Sequence, residues 1–117
     1  MAEPTSTTPT QLARFSAEVQ NAYARYQATG DLVAVEIVVM AALRDFAPQD
    51  QHDKWTPPED HQRLIGDLGF DSLGVAETVF FLEDLFEVKI GNKDLLKLET
   101  VGELRAFVAE KLAKHHS

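Results

Sequence analysis

Cysteine is absent from this 117-residue chain. Its absence excludes a disulfide framework, cysteine metal ligands and a thiol nucleophile. It also fits a reducing compartment. No apolar run approaches the length of a membrane span. The N-terminus lacks the charged-then-apolar plan of a signal peptide. A cytoplasmic protein without a membrane span is therefore expected. Positive charge is scarce as well. Eleven Lys and Arg stand against 19 Asp and Glu, for a net charge of −8. Residues 1–30 are neutral, with Glu3 and Glu18 balanced by Arg14 and Arg25, so the rest of the chain carries the whole excess. Such a surface repels phosphate backbones, which argues against nucleic acid as a partner. It attracts basic protein surfaces instead.

The length implies one domain, with 44% hydrophobic residues for a small core. Residues 1–9 contain a small, polar, proline-interrupted stretch and are expected to be disordered. Leu12, Phe15, Val19, Ala22, Tyr23 and Tyr26 then recur at steps of three and four, which predicts a helical extension over 10–30. Thr8 or Thr10 suits its cap, Pro9 its first turn and Gly30 its end. Asp31 is a cap for a second helix to about Asp45. Val33, Val35, Ile37 and Val39 also alternate as a strand would, but the apolar pattern is too long for an ordinary strand.

Residues 47–70 form a long connection, in which Thr56-Pro57-Pro58-Glu59 offers a start for a short helix over about 57–65. A helix from Ser72 to Phe86 follows. Asn92 opens a short turn to about Leu98. Thr100 and Glu103 make a capping box for a last helix to about Ala113, with Leu104, Phe107, Val108 and Leu112 inward. The expected fold is all-α, with a main domain over 31–114 and a short tail at 115–117.

Chemistry concentrates at Gly69-Phe70-Asp71-Ser72-Leu73 and the acidic helix behind it. Asp-Ser-Leu after Leu64-Ile65-Gly66-Asp67-Leu68-Gly69 resembles the prosthetic-group site of acyl carrier proteins. The resemblance spans roughly 64–113. Val79, Leu82, Glu83, Phe86 and Ile90 match the family's second helix and the turn after it, and Thr100-Val101-Gly102-Glu103 the start of its last. It implies a four-helix bundle with a long first loop, here carrying an additional N-terminal helix. It also implies that 4′-phosphopantetheine is esterified to Ser72, flanked by Asp71 and Leu73, and carries acyl groups as thioesters. The partners so implied are a phosphopantetheinyl transferase and acyl-transferring, synthase or ligase enzymes with basic docking surfaces. Glu77, Glu83 and Asp84 fall where the family contacts them. Gly74 departs from the pattern, because many carriers have an acid there. A monomer is expected. The cargo class stays open among fatty-acid, polyketide, specialised lipid and aminoacyl or peptidyl carriers.

Other readings are weaker. Asp71-Ser72 is also an ordinary helix start, and an acidic helix face is often only solvated. A serine hydrolase needs a strand before the nucleophile and a positioned histidine, and Phe70 replaces the glycine that its elbow requires. His52, Asp53, Glu59 and His61 share one loop but lack a metal-ligand spacing. Trp55 reads as an anchor for that loop. A helical interaction module that carries no group is the remaining alternative. No catalytic and no metal-binding residue is expected.

Overall fold

A computed structural model describes residues 10–48 and 55–116. A 3-10 turn at Thr10–Leu12 leads into α1, Ala17–Thr29, and then α2, Leu32–Phe46. After the long connection come α3, Ser72–Phe86, the single turn α4, Asn92–Leu95, and α5, Val101–His116. Among the described residues there is no strand, only an isolated antiparallel bridge between Arg63 and Thr100. The all-helical expectation is met. No helix is long and apolar enough to cross a membrane among the described residues.

The expected caps hold in α2 and α5, and Asp71 caps α3. Asp31 accepts from the Val33 N–H, and Asp71 from the Gly74 N–H at 2.6 Å. At α5 the box is reciprocal. Thr100 Oγ1 accepts from the Glu103 N–H, while Glu103 Oε1 accepts from the N–H groups of Glu99 and Thr100. Those donors, Glu99 first, hold the Glu103 carboxyl below its ordinary value. α1 begins later than expected. Its cap is Ser16, whose hydroxyl accepts from Val19 N–H. Thr10 instead opens the preceding 3-10 turn, and Thr8 and Pro9 lie outside the described residues. Gly30 ends α1 in the left-handed region, at φ 76°. The alternation at 33–39 proves helical, with Val35, Val38, Val39, Ala42 and Leu43 turned into the core.

The short helix expected over 57–65 is not formed. Pro57 precedes Pro58, which disfavours helical dihedrals at Pro57. The segment instead spends its backbone groups on α5. Val101 N–H donates to Gln62 O and Gly102 N–H to Asp60 O, both at 2.9 Å, and Leu64 N–H donates to Glu99 O. The first-turn donors of α5, which a helix cannot satisfy internally, are thereby paired. Gly102 is required by this close approach, since a Cβ there would lie 2.9 Å from the Asp60 Cβ. Arg105, reaching Glu36 of α2 and Asp60 of the loop, holds the same junction from outside. α5 itself continues to His116.

The extension packs as a layer on α2 and α3. Leu12, Val19, Ala22 and Tyr26 are buried, and Phe15 and Tyr23 pack partly buried against the core. Phe15 stacks on Phe81 at 5.6 Å, and Phe46 meets the same ring at 5.6 Å. Arg14 lies over the Phe15 and Phe81 rings and pairs with Asp45. Tyr23 donates to the Leu85 carbonyl, and burial, then the charge of Glu87, pushes its phenol up. Trp55 is half-buried against the core, as expected of an anchor.

Candidate functional site around Ser72

The approach to Ser72 is a closed loop. Asp67 and Leu68 donate to the Arg63 carbonyl, Arg63 N–H donates to Asp67 Oδ2, and Phe70 N–H donates to the Leu64 carbonyl. Leu64 and Phe70 are buried, so this loop is fixed to the core at both ends. Gly69 turns the chain at φ 82°, where a side chain would be strained. Asp71 then caps α3, and Ser72 is the first residue of the helix.

Ser72 is exposed, and its hydroxyl makes no hydrogen bond among the described residues. It stands at a cavity of about 540 Å³. The walls are Ile65, Val75, Leu95, Leu96 and Leu98, with Arg63 and Glu99 as the charged members. Three large apolar side chains around this site face solvent: Ile65 at 55%, Leu73 at 66% and Leu96 at 82% exposure. Outside a binding region, clustered exposure of that kind is uncommon.

Along the outer side of α3, Leu73, Glu77, Phe80, Asp84 and Glu87 are all exposed. Glu83 differs from its acidic neighbours. It is half-buried, and its Oε2 accepts the Ile90 N–H at 2.5 Å, bracing the turn after the helix. Phe80 is 46% exposed, while Phe81 is covered by the extension. The two adjacent phenylalanines thus serve opposite faces.

The rival chemistries find little support in this geometry. Residues 68–71 before Ser72 are loop, not strand. No histidine accepts from Ser72 among the described residues. Of the four loop residues considered as metal ligands, His52 and Asp53 lie outside the described residues. Glu59 and His61 form an exposed pair, 3.4 Å apart.

Comparison with known proteins agrees with this geometry. The family model described as a phosphopantetheine attachment site matches residues 53–108. An "Acyl carrier protein MbtL" of Mycobacterium sp. (strain MCS) is 34% identical over 74 residues, 63% of this chain and 83% of that protein. The chain belongs to the acyl carrier protein family. Acyl carrier proteins of Thermotoga maritima and of an Exiguobacterium species are 42% and 50% identical over 50 and 46 residues. Those two matches cover 43% and 39% of this chain, and they span 62% and 58% of the relatives' own lengths. No solved structure matches significantly.

The prosthetic group of an acyl carrier protein is covalently attached 4′-phosphopantetheine. The residues present fit it: an exposed, unbonded hydroxyl opens a helix beside an apolar cavity. The sequence motif led to Ser72, Asp71 and Leu73 but not to the cavity walls. Ile65 and Leu96 carried a signal, as large apolar side chains in turn segments, yet only the fold brings them together.

Proposed function

We propose that this protein carries acyl groups as thioesters on a 4′-phosphopantetheine arm attached to Ser72 and presents them to partner enzymes. It acts as a carrier and not as a catalyst. The observation that supports this most directly is the free, exposed Ser72 hydroxyl at the rim of an apolar cavity. When bound, the group supplies a terminal thiol on a long flexible arm. The protein's own residues present the attachment point and shield the cargo. Asp71 fixes the first turn by taking the Gly74 N–H, so Ser72 is held outward on rigid backbone. Ile65, Leu95 and Leu96 offer apolar surface beside it, which favours an acyl over an aminoacyl cargo. Fatty-acid, polyketide and specialised lipid biosynthesis all use cargo of this kind.

The outer stripe of α3 is the docking surface in this reading. Leu73 and Phe80 supply apolar anchors, and Glu77 and Asp84 supply charge that steers basic partners, the phosphopantetheinyl transferase among them. Glu83 adds charge while holding Ile90. We place the carrier in the cytoplasm as a monomer, where a chain without cysteine has no disulfides to lose. Incubation with coenzyme A and a phosphopantetheinyl transferase, read by intact mass, tests the function. One added phosphopantetheine mass is expected. No gain would leave the helical interaction module as the better reading.

A further inference from the structure

We propose that Arg63 binds the phosphodiester of the arm on Ser72 and so lays the arm along the cavity instead of leaving it free in solvent. This rests on the attachment proposed above. Among the described residues, Arg63 is the one basic side chain that lines the cavity shared with Ser72. It is exposed, and its guanidinium has no ion pair or hydrogen bond among the described residues. Glu99 lines the same cavity but does not pair with it. Arg14, Arg25 and Arg105 pair with carboxylates, and of the basic side chains without such a pair among the described residues Arg63 is the one at this cavity.

A phosphodiester on Ser72 needs such a cation. The start of a helix ordinarily favours an anion through its unpaired N–H groups. Here the Asp71 carboxylate already takes the Gly74 N–H, and its charge repels a second anion. The site therefore lacks part of the usual compensation for a phosphate. A guanidinium matches phosphate geometry and supplies it. Arg63 is held for that task through its own main chain. Its N–H is taken by Asp67 and its carbonyl by Asp67 and Leu68, and it bridges to Thr100. The side chain is left to swing over the cavity.

The test uses full-length protein loaded from coenzyme A labelled with carbon-13 and nitrogen-15 in its pantetheine, with loading confirmed by mass. Phosphorus NMR reads the phosphodiester, and heteronuclear relaxation reads the arm. In the wild type the phosphorus shift should move with added sodium chloride, as the pair is screened, and the pantetheine amide nearest the phosphate should be restrained. Arg63→Gln should abolish both effects. Arg63→Lys should keep part of them, since lysine retains charge but not the planar fork. Arg44→Gln, which removes an exposed arginine outside this cavity, should change neither. Unshifted Leu64 and Phe70 amide signals would show that the loop keeps its place in each variant. Loaded wild type and Arg63→Gln with identical phosphorus and relaxation behaviour would overturn the inference alone. So would a difference that arises only after loading a dicarboxylic acyl group, which would assign Arg63 to the cargo. A wild type that gains no mass would overturn the attachment and this inference together.

Discussion

At the scale of single residues, Ser72 and Asp71 divide the work at the attachment site. Asp71 caps α3, and the Ser72 hydroxyl has no hydrogen bond to lose among the described residues. Ser72→Ala should therefore abolish the phosphopantetheine mass gain with a melting temperature close to wild type. Asp71 allows a cleaner dissection. Asparagine caps as well as aspartate, whereas alanine costs about 1 kcal/mol. Asp71→Asn should keep the melting temperature while slowing modification, and Asp71→Ala should lower both. Equal modification rates for wild type and Asp71→Asn would show that the charge is not read by the transferase. Glu83 belongs to a different class from Glu77 and Asp84. Glu83→Ala leaves the half-buried Ile90 amide without its acceptor and should cost about 1–3 kcal/mol in chemical denaturation. The Glu77→Lys, Asp84→Lys pair should spare stability and reduce the salt-sensitive rate of partner-dependent loading. The sequence could not separate these acids. All three read alike on a helix, and only the turn after Phe86 brings the Ile90 N–H back to one of them.

Elements show where sequence patterns were sufficient. α2, α3 and α5 start where their caps stand, because Asp31, Asp71 and Thr100 each satisfy a donor two or three residues on, although α5 also draws on Asp60 and Gln62 for its first two donors. The segment over 57–65 was misread because its partner is remote. Glu99–Gly102 take the hydrogen bonds that an isolated turn would have made with itself. α1 was legible as an apolar stripe but not in its start, since Ser16 and Thr10 are equally good caps by residue type. The box at α5 also carries a pH consequence. The folded Glu103 carboxyl is held below its ordinary value of 4.5, so its contribution is present above that value. It is lost as pH falls through the lower, folded value. Glu103→Gln should accordingly flatten the acid limb of the stability curve below about pH 4.5. Thermal melts of both proteins from neutral pH downward check this, and parallel curves would count against it.

For the molecule as a whole, the extension decides what is core. Deleting residues 1–28 would uncover the apolar surfaces now packed by Val19, Ala22, Tyr26 and Phe15. Each large side chain so lost is worth up to about 1.5–3 kcal/mol. The truncated protein should melt well below the full chain. Ser72 should remain modifiable in the cold, because the loop around it is fastened to α5 and not to α1. A truncation with an unchanged melting temperature would mean that the layer contributes no stability. The cluster of Phe15, Phe81 and Phe46 has an evolutionary side. Phe81 sits on the helix that partners are expected to touch, yet it is shaped to face inward beneath Phe15 and Arg14. A lineage that discarded the first 28 residues would bare an aromatic beside its docking stripe and invite self-association. A lineage that first replaced Phe81 with a small residue would hollow the seat of the extension. Each change taken first carries its own cost, so the extension and the helix it covers constrain one another's sequence.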